Sequence, residues 1–145
     1  RGGDEYIFAM CEGNLCTAAT SGGGRIQAFK RTTEGNWDWS HQLEIPLTAE
    51  FEDYAGISYR DGWLAVVSQA SARVWIAEID QQARLLVDGS QAVSRFPKKS
   101  YGNVEGIAWL SDDTLVCVSD KKKSRQAAKC AKKDQSIHIC RIPGS

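Results

Sequence analysis

Glu12, Asp53, Glu105 and Asp120 are carboxylates at the ends of short apolar runs, and Gln69 holds a comparable place. Oxygen ligands drawn from several strands suit a hard cation, Ca²⁺ before Mg²⁺, because calcium accepts irregular oxygen geometry. Two other readings need no metal. Strand-end acids can be hydrated or cap backbone N–H groups, and two of them could work as a general acid and base. Directly after Asp120 comes KKKSRQAAKCAKK, residues 121–133, which carries Lys121, Lys122, Lys123, Arg125, Lys129, Lys132 and Lys133 and no acid. That segment is either a solvated loop or a clamp for an anionic partner: a phosphorylated small molecule, an acidic protein surface or an anionic lipid head. Its lysines could equally neutralise the carboxylates beside them, in competition with a cation.

Other chemistries lack their signatures. SGGGR (21–25) is Gly-rich but has no strand-to-helix context for a phosphate loop. There is no G-x-S-x-G nucleophile turn. Of the five cysteines, Cys117 and Cys140 lie in apolar runs and read as buried thiols. Cys11, Cys16 and Cys130 lie near loops, where one disulfide among them is expected. The spacing of CEGNLC, with no second Cys/His pair to follow, is not that of a zinc site. A disulfide would favour an extracellular or lumenal setting, but the compartment stays open. His41 and His138 fall in different strands. His138, between Ile137 and Ile139, reads as a packed or rim histidine rather than a base.

Apolar residues make up 42% of 145, enough for one domain with a packed core. Formal net charge is zero, yet residues 1–120 carry a net −7 and residues 121–145 a net +7. The basic segment is short and has no aromatic residue on which a base could stack, which argues against nucleic acid. The longest clearly aliphatic and aromatic run, Trp63 to Val67, is five residues, far short of a membrane span. RGGDEYIF at the start shows no signal-peptide pattern, so a mature or truncated chain is expected.

The elements that must position these residues repeat. YIFAMCEG (6–13), GWLAVVSQ (62–69) and TLVCVSDK (114–121) align, with Cys11, Ser68 and Ser119 in one column and Glu12, Gln69 and Asp120 in the next. RIQAFKR (25–31), RVWIAEID (73–80) and SIHICRIP (136–143) follow them. DYAGISY (53–59) and NVEGIAW (103–109) precede two of them, with Gly56 and Gly106 aligned, and HQLEIP (41–46) and QAVSRFP (91–97) complete the set. Short runs rich in Val, Ile and aromatics, broken by Gly, Asp-Asp and Asp-Gly, are strands. No stretch shows a helical apolar stripe. Four antiparallel strands recurring at about 50 residues predict an all-β fold, a partial β-propeller of about two and a half blades and ten strands. Blade one spans about 4–46, blade two about 51–97 and blade three about 102–143. Such an arc exposes apolar blade faces and strand edges. The remaining blades are therefore expected on another chain or on a missing N-terminal segment, or the ring is completed by oligomerisation.

In this arrangement Glu12, Asp53, Gln69, Glu105 and Asp120 share one rim of the central channel, and the basic loop leaves from the same face. Trp63, Trp75 and Trp109 are expected to pack between blades. Trp37 and Trp39, in the polar GNWDWS turn, are expected as an exposed contact.

EGNLC (12–16), GGGRIQAFKR (22–31), FEDYAGI (51–57), NVEGIAWL with VSDKKK (103–123) and KCAKKDQSIHICRIP (129–143) together resemble the C-terminal half of a poorly characterised propeller family of plants and other eukaryotes. The resemblance implies a missing N-terminal half and names no activity. More distantly, the EG-then-SD hairpin is similar to calcium-containing propellers of the phytase-like and SdiA-regulated kind. The expected function is a binding or scaffold module with an acidic channel mouth that takes a cation. One alternative is a calcium-dependent phosphoester hydrolase, with Glu105, Asp120 and Glu12 on calcium and the basic loop on the anionic group. The other is a structural subunit of a larger assembly.

Overall fold

The computed structural model describes residues 4–12, 24–80, 82, 84, 86–96, 101 and 103–142. They form three antiparallel sheets, each built from strands consecutive in the chain. The first holds β1 (Tyr6–Met10), β2 (Arg25–Arg31) and β3 (Trp37–Glu44). The second holds β4 (Gly56–Arg60), β5 (Trp63–Ser68), β6 (Arg73–Glu78) and β7 (Ala92–Arg95). The third holds β8 (Asn103–Ser111), β9 (Thr114–Asp120) and β10 (Ile137–Arg141). The fold is thus all-β, with ten strands among the described residues arranged three, four and three.

Tight turns set the hairpins. Asp61 and Gly62 both have positive φ, 48° and 89°, the backbone that a two-residue hairpin loop requires and that an Asp-Gly pair supplies. At the β8–β9 turn Asp113 accepts from the hydroxyls of Ser111 and Thr114, each at 2.7 Å. Those bonds hold its carboxyl below the usual carboxylate range.

The second sheet is covered on both faces. Leu64, Val66, Trp75 and Ala77 point into a core shared with Ile26, Leu43 and Phe51 from the first sheet side. Ala65, Val67, Val74 and Ile76 point the other way, onto Val104, Leu115 and Cys117 of the third sheet. A strand buried on both faces needs apolar residues at every position, and β5 and β6 therefore read as continuous runs. Each such aliphatic side chain contributes roughly 1.5–3 kcal/mol. The sheets meet along β1, β4 and β8. There Gly56 brings the backbones together: a Cβ on it would sit 3.1 Å from the Glu105 carbonyl oxygen and 3.2 Å from Gly106 Cα. Arg73, almost fully buried, donates to the carbonyls of Ala49 (2.8 Å) and Glu50 (3.3 Å), tying the link between the first two sheets to β6.

Two sequence expectations change, and the disulfide expected among Cys11, Cys16 and Cys130 is present at Cys11. Trp37 and Trp39 are exposed, but they stand on β3 rather than in a turn, where Trp39 Nε1 donates to Gln27 Oε1 at 2.8 Å. Trp75 is wholly buried, whereas Trp63 is exposed, because it opens β5 at the hairpin end. Cys11 is disulfide-bonded while Cys130 is not. Cys130 is instead buried in a short 3-10 stretch, Ala128–Lys133. Cys16 lies outside the described residues.

Candidate functional site

The β4 and β8 entries and the β5 exit meet at one end of the sheets. Glu12, Asp53, Gln69 and Glu105 line a common cleft of about 300 Å³, floored by Tyr54 and Gly56. The structure therefore brings together three of the four acids singled out in the sequence. The fourth, Asp120, ends β9 opposite Asn103 and is not part of that lining.

Each carboxylate in the cleft has a local reason for its position. Asp53 accepts from the Ser68 hydroxyl (2.6 Å) and the Ala70 N–H (2.9 Å), so it fastens the loop leaving β5. Glu105 occupies a bulge in β8: Val104 pairs with Ser119 and Gly106 with Val118, which leaves Glu105 unopposed. A bulge re-aims its extra side chain, and Glu105 reaches Lys123, with Oε1 3.6 Å from Nζ. Glu12 is exposed, and its carbonyl accepts from the Tyr54 N–H at 3.1 Å. Among the described residues no three His, Cys, Asp or Glu side chains are grouped so as to hold a metal ion. Of the four acids expected as calcium ligands, Asp53 accepts from Ser68 and Ala70, Glu105 lies on Lys123, and Asp120 stands outside the cleft.

At the centre of the rim sits Asn103, 1% exposed. Its Oδ1 accepts from Gln69 Nε2 and, at 2.6 Å, from Gln126 Nε2, and its Nδ2 donates to the Lys121 carbonyl at 2.7 Å. A buried amide that uses both ends fixes whatever it bonds. Here it joins the second sheet, the third sheet and the basic loop. The loop is further pinned by the Lys122 N–H on Asp134 Oδ1 (2.7 Å) and the Lys123 N–H on Gln126 Oε1 (2.9 Å). Lys123 Nζ then bridges to Gln69 Oε1 at 3.1 Å. Lys133 lies 5.4 Å over the Tyr101 ring. Lys121, Arg125, Lys129 and Lys132 are exposed, so four cations project from a backbone held in place.

The repeat alignment contains the signal for Asn103, since it stands three residues before Gly106 as Asp53 stands before Gly56. Both side chains secure the exit of the second strand of their own sheet. The acid that stands out in the third repeat is Glu105, but the positional equivalent of Asp53 is Asn103. Serines of the shared column also act alike: Ser68 bonds Asp53, and Ser119 bonds His138 Nε2 at 2.7 Å.

No protein family, curated protein or solved structure matches the chain. No helix among the described residues is long and apolar enough to cross a membrane.

Proposed function

We propose that the chain is a binding or scaffold module built as part of a β-propeller, its three sheets being consecutive blades and its contact surface the basic loop 121–133 at the rim. The observation that carries this is Lys123, which lies on both Gln69 and Glu105 while Asn103 and Asp134 hold the loop backbone. Two acids of the rim, Asp53 and Glu105, are already answered from within. The remaining exposed lysines and Arg125 are thus pre-positioned for an acidic protein surface or an anionic small molecule, and a rigid loop gives up less entropy on binding. The remaining blades, on another chain or another segment, fit against the outer faces of the first and third sheets.

The test is binding of a polyglutamate probe at low and moderate salt. Affinity is expected to fall steeply with ionic strength and to be lost in the combined variant Lys121→Gln, Arg125→Gln, Lys129→Gln, Lys132→Gln, whose four sites are exposed. Unchanged affinity in that variant refutes the loop as the contact. A calcium reading of the same cleft rests on Glu12, Asp53 and Glu105 lining it together, and requires Glu105 to exchange Lys123 for the ion. A rise in Tm with calcium that disappears in Glu105→Gln supports that reading, since a ligand of the folded state alone stabilises it. An unmoved Tm supports the internally neutralised rim.

A further inference from the structure

β10 is the outer strand of the third sheet, and its far side meets no strand among the described residues. In an antiparallel pair, residues alternate between those bonded to the partner and those whose N–H and C=O point away. The Ser119 N–H bonds the Ser136 carbonyl at 2.9 Å and the Ile142 N–H bonds that of Asp113 at 2.8 Å, which fixes the phase. Even-numbered positions of β10 bond to β9. Ile137, Ile139 and Arg141 turn their backbone groups outward. In the second sheet the same edge, on β6, is covered by β7, with Ile76 paired to Ala92 and Trp75 to Val93.

Beside the open edge the second and third sheets splay apart around a cavity of about 290 Å³. Val74, Ile76 and Phe96 line one side of it and Leu115, Cys117 and Cys140 the other. Tyr101 closes one end, edge-on to His138 at 4.6 Å. Arg141, paired with Thr114, stands on the outer face of β10 with Ile137 and Ile139. Arg95 pairs with Arg73 and turns the other way, to the Glu50 carboxylate at 3.5 Å.

We propose that the β10 edge takes up an extended acidic peptide segment as a fourth strand, with apolar side chains at alternate positions entering the cavity and carboxylates on the opposite face meeting Arg141. Outward N–H and C=O groups recurring every second residue are matched by another main chain rather than by a compact ligand. A strand's two-residue period sends every other side chain to one face, here the cavity. The Arg141 guanidinium sets the sign of charge, since such a group binds a carboxylate in planar, two-pronged fashion. The inference shares the reading of the chain as a binding module but uses none of the loop's side chains.

The probe is a capped peptide about seven residues long that alternates valine and glutamate, compared with its valine–lysine counterpart. The glutamate peptide is expected to bind and to protect the amides of Ile137, Ile139 and Arg141 from hydrogen exchange. Ile139→Pro removes one outward N–H without touching the β9 ladder, and an edge strand tolerates it. It is expected to weaken binding about tenfold or more. Arg141→Glu, at an exposed site, is expected to weaken the glutamate peptide and favour the lysine one, and it decides the matter if the proline variant does not fold. Equal binding of both peptides, or no protection at the three amides, overturns the proposal. If the four-site loop variant abolishes peptide binding while folded Ile139→Pro leaves it unchanged, the edge proposal falls and the loop reading stands. The reverse result keeps the edge and removes the loop.

Discussion

His138 is buried between β9 and Tyr101, with Ser119 on its Nε2 and Cys117 opposite it across the ladder. Burial, helped by the Lys133 ammonium, holds its pKa below the ordinary 6.5. The unfolded chain therefore takes up the proton more readily than the folded one. The neutral ring's contribution is fully present above the unfolded value and is lost as pH falls through that value toward the folded one. Tm is expected to drop by a few degrees between about pH 7.5 and pH 5.5. His138→Phe keeps a ring against Tyr101 without a titrating group, and it should flatten that part of the slope in thermal melts. Equal slopes in the two proteins would show that His138 carries none of it. The nearby Cys117 thiol is pushed up to about 12 by burial and then by Cys140, so it stays protonated across this range. At this scale the sequence shows His138 as packed and Cys117 as a buried thiol, because alternation with apolar neighbours is a local signal. It does not show Ser119 as the partner of His138, since that contact joins strands 19 residues apart.

Among the elements, the contact of β4 with β8 depends on a missing side chain. Gly56→Val would drive a Cβ and two methyls against the Glu105, Gly106 and Ile107 backbone, already within 3.2 Å of the Cβ position. Backbone cannot swing aside as a long side chain can, so the two strands must part. A loss of about 1–3 kcal/mol is expected, read as a lower midpoint in urea with an unchanged slope. An unchanged midpoint would mean that the two sheets are not held by this approach. The aligned glycines made the position legible in the sequence, as did the doubly apolar β5 and β6. The bulge at Glu105 was not legible. It is set by where Val104 and Gly106 find partners on β9, and nothing in the residue types NVEG marks the slip. The displacement of Trp37 and Trp39 from turn to strand has a similar origin. Asn36 and Asp38 are turn-forming types, but the chain turns at Thr32–Gly35, where Gly35 adopts φ 87°, and β3 begins directly after.

For the whole molecule, exposed apolar side chains gather on the two outer sheets. Ile7 and Trp39 are exposed on the first, and Leu110, Val118, Ile137 and Ile139 on the third, with Ile137 at 72%. The middle sheet buries most of its apolar residues, leaving Tyr59, Trp63 and Val93 exposed at its hairpin end and outer strand. Apolar patches of this kind drive association. The double variant Leu110→Lys, Ile137→Lys is expected to lower self-association in light scattering at high concentration and to change stability by no more than about 0.5 kcal/mol, as surface substitutions generally do. If association is unaltered, the third sheet's outer face is not the sticky one. The all-β class, the ten strands and the grouping of acids at one end were all readable from period and spacing. The pairing of Glu105 with Lys123 was not, because it depends on how loop 121–133 folds back through Asn103, a residue with no charge to draw the eye.

Each sheet is made of strands that follow one another directly, with no crossover between sheets. The pairings within a sheet are therefore local in sequence, tightest at the β4–β5 and β8–β9 turns, and the larger entropic cost falls on docking one finished sheet against the next. The hydrophobic gain of that docking is concentrated on β5 and β6, which serve both interfaces. Assembly is then close to a one-dimensional problem: the middle sheet is a template on which the outer two can be added in either order, each through its own core. A lesion in β2 should leave the seam between the second and third sheets intact, whereas a lesion in β6 loosens both seams at once.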